Sequence, residues 1–364
     1  MRHTFHAALP HFAPPQFVLF SFCSLKKMYL CAKFTSKMKK IALILFSIVC
    51  IFACNKATSK TNEKQQEVNA VQVPLFVSDS AYRYIQTQVD FGPRVPNTKE
   101  HAACAKYLSE KLTQFGAQVT EQRVDLKTFD GTTLKAVNII GSFQPENKKR
   151  VLLFAHWDTR PWADHDPNPA NRQKPVLGAN DGASGVGVLL EIARLINKQQ
   201  PNVGIDIIFF DAEDYGAPEH LSNAHTANSW CLGSQHWARN PHIPNYRAQY
   251  GILLDMVGAR GATFYREQIS DHYAKHIVDK VWNQAKNLGF DQYFINRSGG
   301  AITDDHLYVN QIIGIPSINI IQQDRNSSHG FGHYWHTVND TMENIDKSTL
   351  QAVGTTLLHV IYGE

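Results

Sequence analysis

The sequence predicts an α/β fold: one domain built on a mixed, mostly parallel central sheet flanked by helices. Three observations carry this. The short continuous apolar runs in "RVLLFAHWD" and "VGIDIIFFD" read as strands buried on both faces. Between them lies "GASGVGVLLEIARLINK", residues 182–198, with helical apolar spacing. The alternation then continues: "YGILLDMVGA" and "GIPSINII" read as buried strands, "QISDHYAKHIVDKVWNQAKNL" and "NIDKSTLQAVGTTLLHVIYG" as helices.

The remaining elements follow in chain order. Residues 1–37 have no signal-peptide pattern, and Met38 is the expected true start. In residues 38–53, Lys39 and Lys40 precede a thirteen-residue apolar run, Ile41 to Ala53, which suits a secretory segment and is short for a membrane span. The run ends at Ala53–Cys54 and resembles the lipobox of bacterial lipoproteins, which makes Cys54 the expected lipidation site. A plain cleaved signal and an uncleaved anchor are the alternatives. Residues 54–75 are mostly polar and read as a flexible tether. The α/β domain is expected over 76–364. It opens with two helices, "SDSAYRYIQTQVDF" and "NTKEHAACAKYLSEKLTQFG", the second ending at Gly116 as a C-cap. Two alternating strands follow, "AQVTEQRVDL" and "LKAVNIIGSF".

The formal charge of +4 is misleading. Eight of the 36 Lys/Arg and none of the 32 Asp/Glu fall in residues 1–58, which leaves a mildly acidic body with 28 basic and 32 acidic residues. It has no basic stripe, and nucleic acid is not an expected partner. Of six cysteines only Cys104 and Cys231 lie in the body. They form no metal-binding spacing and are expected as buried thiols, with a disulfide as the alternative.

Chemistry-bearing residues gather at the ends of the expected strands, where open α/β sheets bind ligands. "HWD" places His156 and Asp158 after one strand. "DAED" places Glu213 and Asp214 after another, with Asp211 before them, and Asp255 lies within "ILLDMV". Asp181 opens a helix in "GANDGASG", as a ligand or as an N-cap. Three carboxylates in four positions repel one another, and a divalent cation would offset that repulsion. With His336 of "YWHT", two carboxylates and an imidazole make a zinc set with an open position.

The order HxD, GA-x-D-x-A, FFD-x-E-[ED], LLD-x-[VI]GA, DDH and WHT resembles the zinc-dependent glutaminyl cyclases, which share a superfamily with the co-catalytic zinc aminopeptidases. The likeness covers roughly residues 78–362. "AHWDTRPWAD", "GANDGASGVGVLLEIAR" and "HYWHTVNDTMENID" look especially like the envelope-anchored cyclases of the Bacteroidetes. The resemblance implies one Zn²⁺ per chain, held by Asp181, Asp214 and His336. It implies Glu213 as proton carrier, with Asp304 and Asp255 completing an acid network, and Trp335 and Trp230 against the substrate. The implied partners are peptides and proteins with N-terminal glutamine, and a membrane reached through the lipid anchor. The implied location is the cell envelope, on the periplasmic side, with the outer membrane favoured.

The aminopeptidases of the superfamily would add a second zinc through residues like His156 and Asp255, so the ligand positions leave peptidase activity open. Asp304 in "DDH" and Trp335 before the last histidine match the cyclase pattern. Asp214 departs from the glutamate usual there, which shortens one ligand. A peptide-binding lipoprotein with a dead site is the non-enzymatic alternative, and an intact Glu213 argues against it. His156 and Asp158 remain candidates for a second metal or for bracing the first. His220, His225, His329 and His333 are expected as solvated loop histidines.

Overall fold

Strands of continuous apolar residues need cover on both sides, and two unequal cores supply it. The computed structural model describes residues 72–364 apart from 222, 224, 225 and 227. The expected extension, secretory segment, Cys54, most of the tether and His225 lie outside the described residues. Helices α1 (Ser78–Asp90) and α2 (Lys99–Gln114) precede strands β1 (Gln118–Lys127), β2 (Thr133–Phe143) and β3 (Arg150–His156). Then come α3 (Ala183–Lys198), β4 (Gly204–Phe210), α4 (Leu232–Arg239), β5 (Tyr250–Asp255), β6 (Phe264–Arg266), α5 (Gln268–Asn287) and β7 (Phe294–Ser298). A single helical turn, α6 (Asp305–Tyr308), runs into a π-helical stretch at Val309–Ile313, followed by β8 (Ser317–Ile321) and α7 (Lys347–Tyr362).

The central sheet has the order β1-β2-β4-β3-β5-β8. Strands β4, β3, β5 and β8 are parallel, as their apolar runs predicted. The alternating strands β1 and β2 form an antiparallel hairpin that joins β4 antiparallel. The edge strand β1 alternates between exposed and half-buried positions, whereas β2, read as alternating, is buried on both faces from Ala136 onward because it lies between β1 and β4. The parallel pair β6–β7 was not legible in advance.

Side chains alternate across the central strands. Val151, Leu153, Ile205, Ile207 and Phe209 face the larger core, made with α1, α2, α3, α5 and α7. Leu152, Phe154, Ile208 and Phe210 face a smaller core with Trp237 of α4 and Val309. Each fully buried Ile, Leu or Phe contributes about 1.5–3 kcal/mol. Helix α3 lies hard on β5: a Cβ on Gly185 would sit 2.2 Å from the Leu254 carbonyl oxygen. That close approach fixes the loop before α3 against the strand ends. Asp206 is buried on the smaller-core side, bonded to Arg150 Nε and Nη2 (both 2.7 Å) and to the Tyr246 hydroxyl.

Candidate metal centre and active site

Parallel strands leave their carboxyl ends along one edge, and the candidate residues emerge there. His156 ends β3 and Asp255 ends β5, while Glu213 and Asp214 follow β4. The chain turns abruptly at these ends. Ala212, Met256 and His336 all have left-handed backbones, with φ of 53°, 48° and 52°. Such angles are uncommon outside glycine and persist where the surroundings over-determine them.

Asp158 supplies part of that determination. Its two carboxylate oxygens accept the backbone N–H groups of Glu213 and Asp214, each at 3.1 Å. Its Oδ1 lies 3.6 Å from His156 Nδ1. Asp158 therefore braces the neighbouring strand end and stands outside the possible ligand sets. Asp211 is a structural acid, accepting from Val137 N–H (2.6 Å) and Ala212 N–H (2.7 Å) and contacting His101 Nε2 at 2.9 Å.

Asp181 does not cap α3, whose N-cap is Gly182 without a side-chain bond. Its carboxylate points to His156 Nε2 (3.0 Å) and His336 Nε2 (3.7 Å). Asp340, which the sequence reading did not single out, holds the turn: it accepts the N–H of Asn180 (2.9 Å) and of Asp181 (3.0 Å).

Two ligand triads result. Asp181, Asp214 and His336 offer atoms within 4.8 Å of one another, as do His156, Asp181 and Asp255. Both are buried, and Asp181 belongs to both. Asp214 Oδ1 is buried without a hydrogen-bond partner, 3.3 Å from His336 Nε2. One nitrogen and two carboxylates, with an oxygen left unsatisfied among them, fit a zinc ion. The short Asp214 side chain reaches the cluster, so the departure from glutamate does not break the set.

Glu213, Cys231 and Asp304 form a third group within 4.8 Å. The Cys231 thiol donates to Glu213 Oε1 at 3.2 Å. Burial pushes the Glu213 carboxyl well above its ordinary range; His156 opposes this, and Asp214 adds to it. Burial likewise pushes Asp255 up to about 6 and Asp304 up to about 7. Asp304 Oδ2 accepts from Asn319 Nδ2 at 2.6 Å, and its Oδ1 from the Asp305 N–H at 2.6 Å. Asp305 is also buried and pushed up to about 8, by burial and then by Asp304. Burial thus disfavours the charged form of all four carboxyls. Cys104 and Cys231 are free thiols, both buried.

The groups open on a cavity of about 540 Å³. Trp335 and Trp230 line it with Phe331 and His329. Trp335 stacks on His336 at 3.7 Å between ring centroids, and His329 stacks on Trp335 at 5.1 Å. His329 is thus a half-buried wall residue, which corrects its expected role as a solvated histidine. His220 and His333 are exposed. Trp230 lies parallel to His336 and takes its place because residue 216 is glycine, where a Cβ would fall 1.9 Å from the indole. His306 points away from the triads to Glu267. Asp340, Asp305, Phe331 and the Arg160–Asp164 pair were all missed. The one available signal was that Arg160 and Asp164 sit in the quoted stretch "AHWDTRPWAD".

Fold and site together define a metal-dependent α/β enzyme of the zinc-exopeptidase type. The chain belongs to peptidase family M28, which it matches over residues 138–361. Among solved structures it is similar to a Bacteroides thetaiotaomicron glutaminyl cyclase bound to N-acetylhistamine, with 58% identity, 80% of this chain and 100% of that one covered, and a TM-score of 0.79. A second structure from that organism, described as a leucine aminopeptidase precursor, is also 58% identical, covering 81% and 99% of the chains with a TM-score of 0.78. Curated relatives are more distant. Aminopeptidase YwaD of Bacillus subtilis is 28% identical over 74% of this chain, and the Bos taurus glutaminyl-peptide cyclotransferase is 27% identical over 58% of it. The chain spans only 54% and 62% of the lengths of those two relatives.

Proposed function

We propose that this protein closes the N-terminal glutaminyl residue of peptides and proteins into pyroglutamate and releases ammonia, using one zinc held by Asp181, Asp214 and His336. The carrying observation is the approach of Glu213 and Asp304 within 4.8 Å, in the same cavity as that triad. The similarity to a structure described as a glutaminyl cyclase supports the same reading.

The reaction forms a bond from the α-amine nitrogen to the side-chain amide carbon and breaks the bond from that carbon to the amide nitrogen. The amine must lose a proton and the departing ammonia must gain one. When bound, zinc supplies Lewis-acid polarisation of the γ-carboxamide. Glu213 takes the amine proton and delivers it to the leaving nitrogen, for which a raised pKa is suited. Cys231 holds Oε1 of Glu213, and Oε2 lies 3.8 Å from His156 Nδ1. Asp304 and Asp255 hold protons beside it, as members of one coupled set. Trp335, Trp230 and Phe331 wall the cavity and keep the glutaminyl end bent, so that amine and amide meet without a bimolecular encounter.

One observation favours a second reading, di-zinc aminopeptidase activity: the ligand atoms of His156, Asp181 and Asp255 also lie within 4.8 Å of one another. The deciding experiment gives the zinc-loaded, full-length protein a glutaminyl peptide and a leucyl chromogenic amide in parallel. Ammonia release with loss of the free amine, and an intact leucyl amide, is the expected result. Leucyl amide cleavage without cyclisation would overturn the proposal and put a second zinc on His156 and Asp255.

The location belongs to the same proposal: a lipid on Cys54 holds the domain at the periplasmic side of the envelope, on the outer membrane in preference to the inner. Among the described residues no helix is long and apolar enough to cross a membrane. Labelling with an alkynyl fatty acid tests the anchor, and a Cys54→Ala chain that still takes up label would refute it.

A further inference from the structure

Arg160 is a buried arginine that the reaction does not use. It is 1% exposed, and its guanidinium contacts groups in and beside the site, with Nη1 3.6 Å from Asp214 Oδ1. Nε and Nη2 grip both oxygens of Asp164, at 2.7 and 2.6 Å. Nη1 donates to the backbone carbonyls of Asp214 (3.0 Å) and Gly216 (3.2 Å). Its plane lies over Trp230, 4.6 Å from the ring centroid, and near Trp162 at 5.3 Å. A planar bidentate fork of this kind fixes both the position and the ionised state of its carboxylate.

The held carboxylate faces a metal ligand. Asp164 Oδ1 lies 3.5 Å from Nδ1 of His336, a buried nitrogen that makes no hydrogen bond in this structure, and Nε2 of the same ring is the nitrogen aimed at Asp214 and Asp181. Two further bonds tie the same segment to the same loop. The His165 N–H donates to the His336 carbonyl (3.2 Å), and the Val338 N–H donates to Asp166 Oδ2 (3.1 Å). Asp164, His165 and His336 also lie close enough to hold an ion themselves. A cation there would sit against the Arg160 guanidinium, which already fills both Asp164 oxygens, so this group does not form a separate site.

We propose that Arg160 and Asp164 are positioning residues for the metal centre: the Asp164 carboxylate, held 3.5 Å from His336 Nδ1, keeps the ring proton on that nitrogen and so leaves Nε2 for the metal, while Arg160 locks Asp164 and, through the Asp214 carbonyl, the second ligand. One buried cation thereby aligns two of the three ligands. A carboxylate behind a ligating histidine sets its tautomer, and losing such a partner typically weakens metal binding about 10–100-fold. The inference rests on Asp181, Asp214 and His336 being the metal centre, and it does not depend on the choice between cyclase and peptidase.

The test measures zinc affinity of the full-length protein by competition with a chromophoric chelator, together with the visible spectrum of the cobalt(II)-substituted form. Wild type is compared with Asp164→Asn, Asp164→Ala, Arg160→Lys and His336→Ala. Asp164→Asn and Asp164→Ala are expected to bind about 10–100-fold more weakly than wild type, with altered cobalt bands. Arg160→Lys, which keeps the charge and loses the fork, is expected to fall between. Should Asp164→Ala fail to fold by circular dichroism, the near-isosteric Asp164→Asn decides. Wild-type affinity and an unchanged cobalt spectrum in Asp164→Asn would overturn the inference. If His336→Ala also bound zinc as wild type does, the metal-centre reading itself would fall, a different and distinguishable failure.

Discussion

His306 lies 3.0 Å from Glu267, Nε2 to Oε2, and neither side chain reaches solvent. The last residue of "DDH" is thus a brace. Glu267 also accepts the N–H groups of Ile269 and Ser270 at the start of α5, and that of Ile302 in the segment leading to Asp304. Removing one partner leaves a buried polar group unpaired. His306→Ala is expected to lose about 2–4 kcal/mol in urea unfolding, while the folded fraction keeps its zinc stoichiometry. Loss of zinc at unchanged stability would contradict this.

Glu213→Gln keeps the size of the side chain and the thiol contact but cannot accept the amine proton. Turnover of a glutaminyl peptide is expected to fall at least about 10²–10⁴-fold in kcat. Zinc content, by elemental analysis, is expected to stay the same. A variant within threefold of wild type would remove Glu213 from the reaction.

On the proposed ligand set, zinc would bind the folded site and find no assembled triad in the unfolded chain. At about a thousandfold excess over Kd it is expected to add about 4 kcal/mol of stability. Chelation should lower Tm by the same linkage. In His336→Ala the zinc-dependent increment is expected to vanish, and a full increment would place the ion elsewhere.

Asp304 and Asp255 contribute a pH dependence whose sign follows from the direction of their shifts. Burial pushes Asp304 up to about 7 and Asp255 up to about 6, from an ordinary 3.8. Between those limits the folded protein holds more protons than the unfolded chain, so stability falls as pH rises. Without metal, resistance to urea is expected to be greatest near pH 4 and to decline towards pH 7. Asp304→Asn cannot ionise and should flatten the upper part of that decline. A slope equal to that of wild type would show that Asp304 does not titrate in this range.

The parts of this molecule legible in advance are those where one residue type has one use. Apolar runs such as "IDIIFF" can only be buried, and acids crowded at a strand end need compensation, so β3, β4 and β5 and the residues after them were readable. Arg160, Asp164 and Asp340 were not. Each is an ordinary polar residue in a loop, and its role comes from partners as far as 172 and 160 positions away. His329 looked like any loop histidine because the stacking that buries it depends on how the Trp335 loop closes. The strands β6 and β7 are too short to show a period. Asp158 was readable as a site residue, but its grip on two neighbouring N–H groups depends on the register between β3 and β4.

Asp340 clasps a turn 160 positions earlier in the sequence, and the triad it supports closes only with His336. A growing chain therefore cannot complete the Asp181–Asp214–His336 set until nearly everything before its final helix has been made. Metal held by that set would then arrive late in biogenesis, as a seal on a fold already largely made. A chain exported before folding would meet its metal only at its destination.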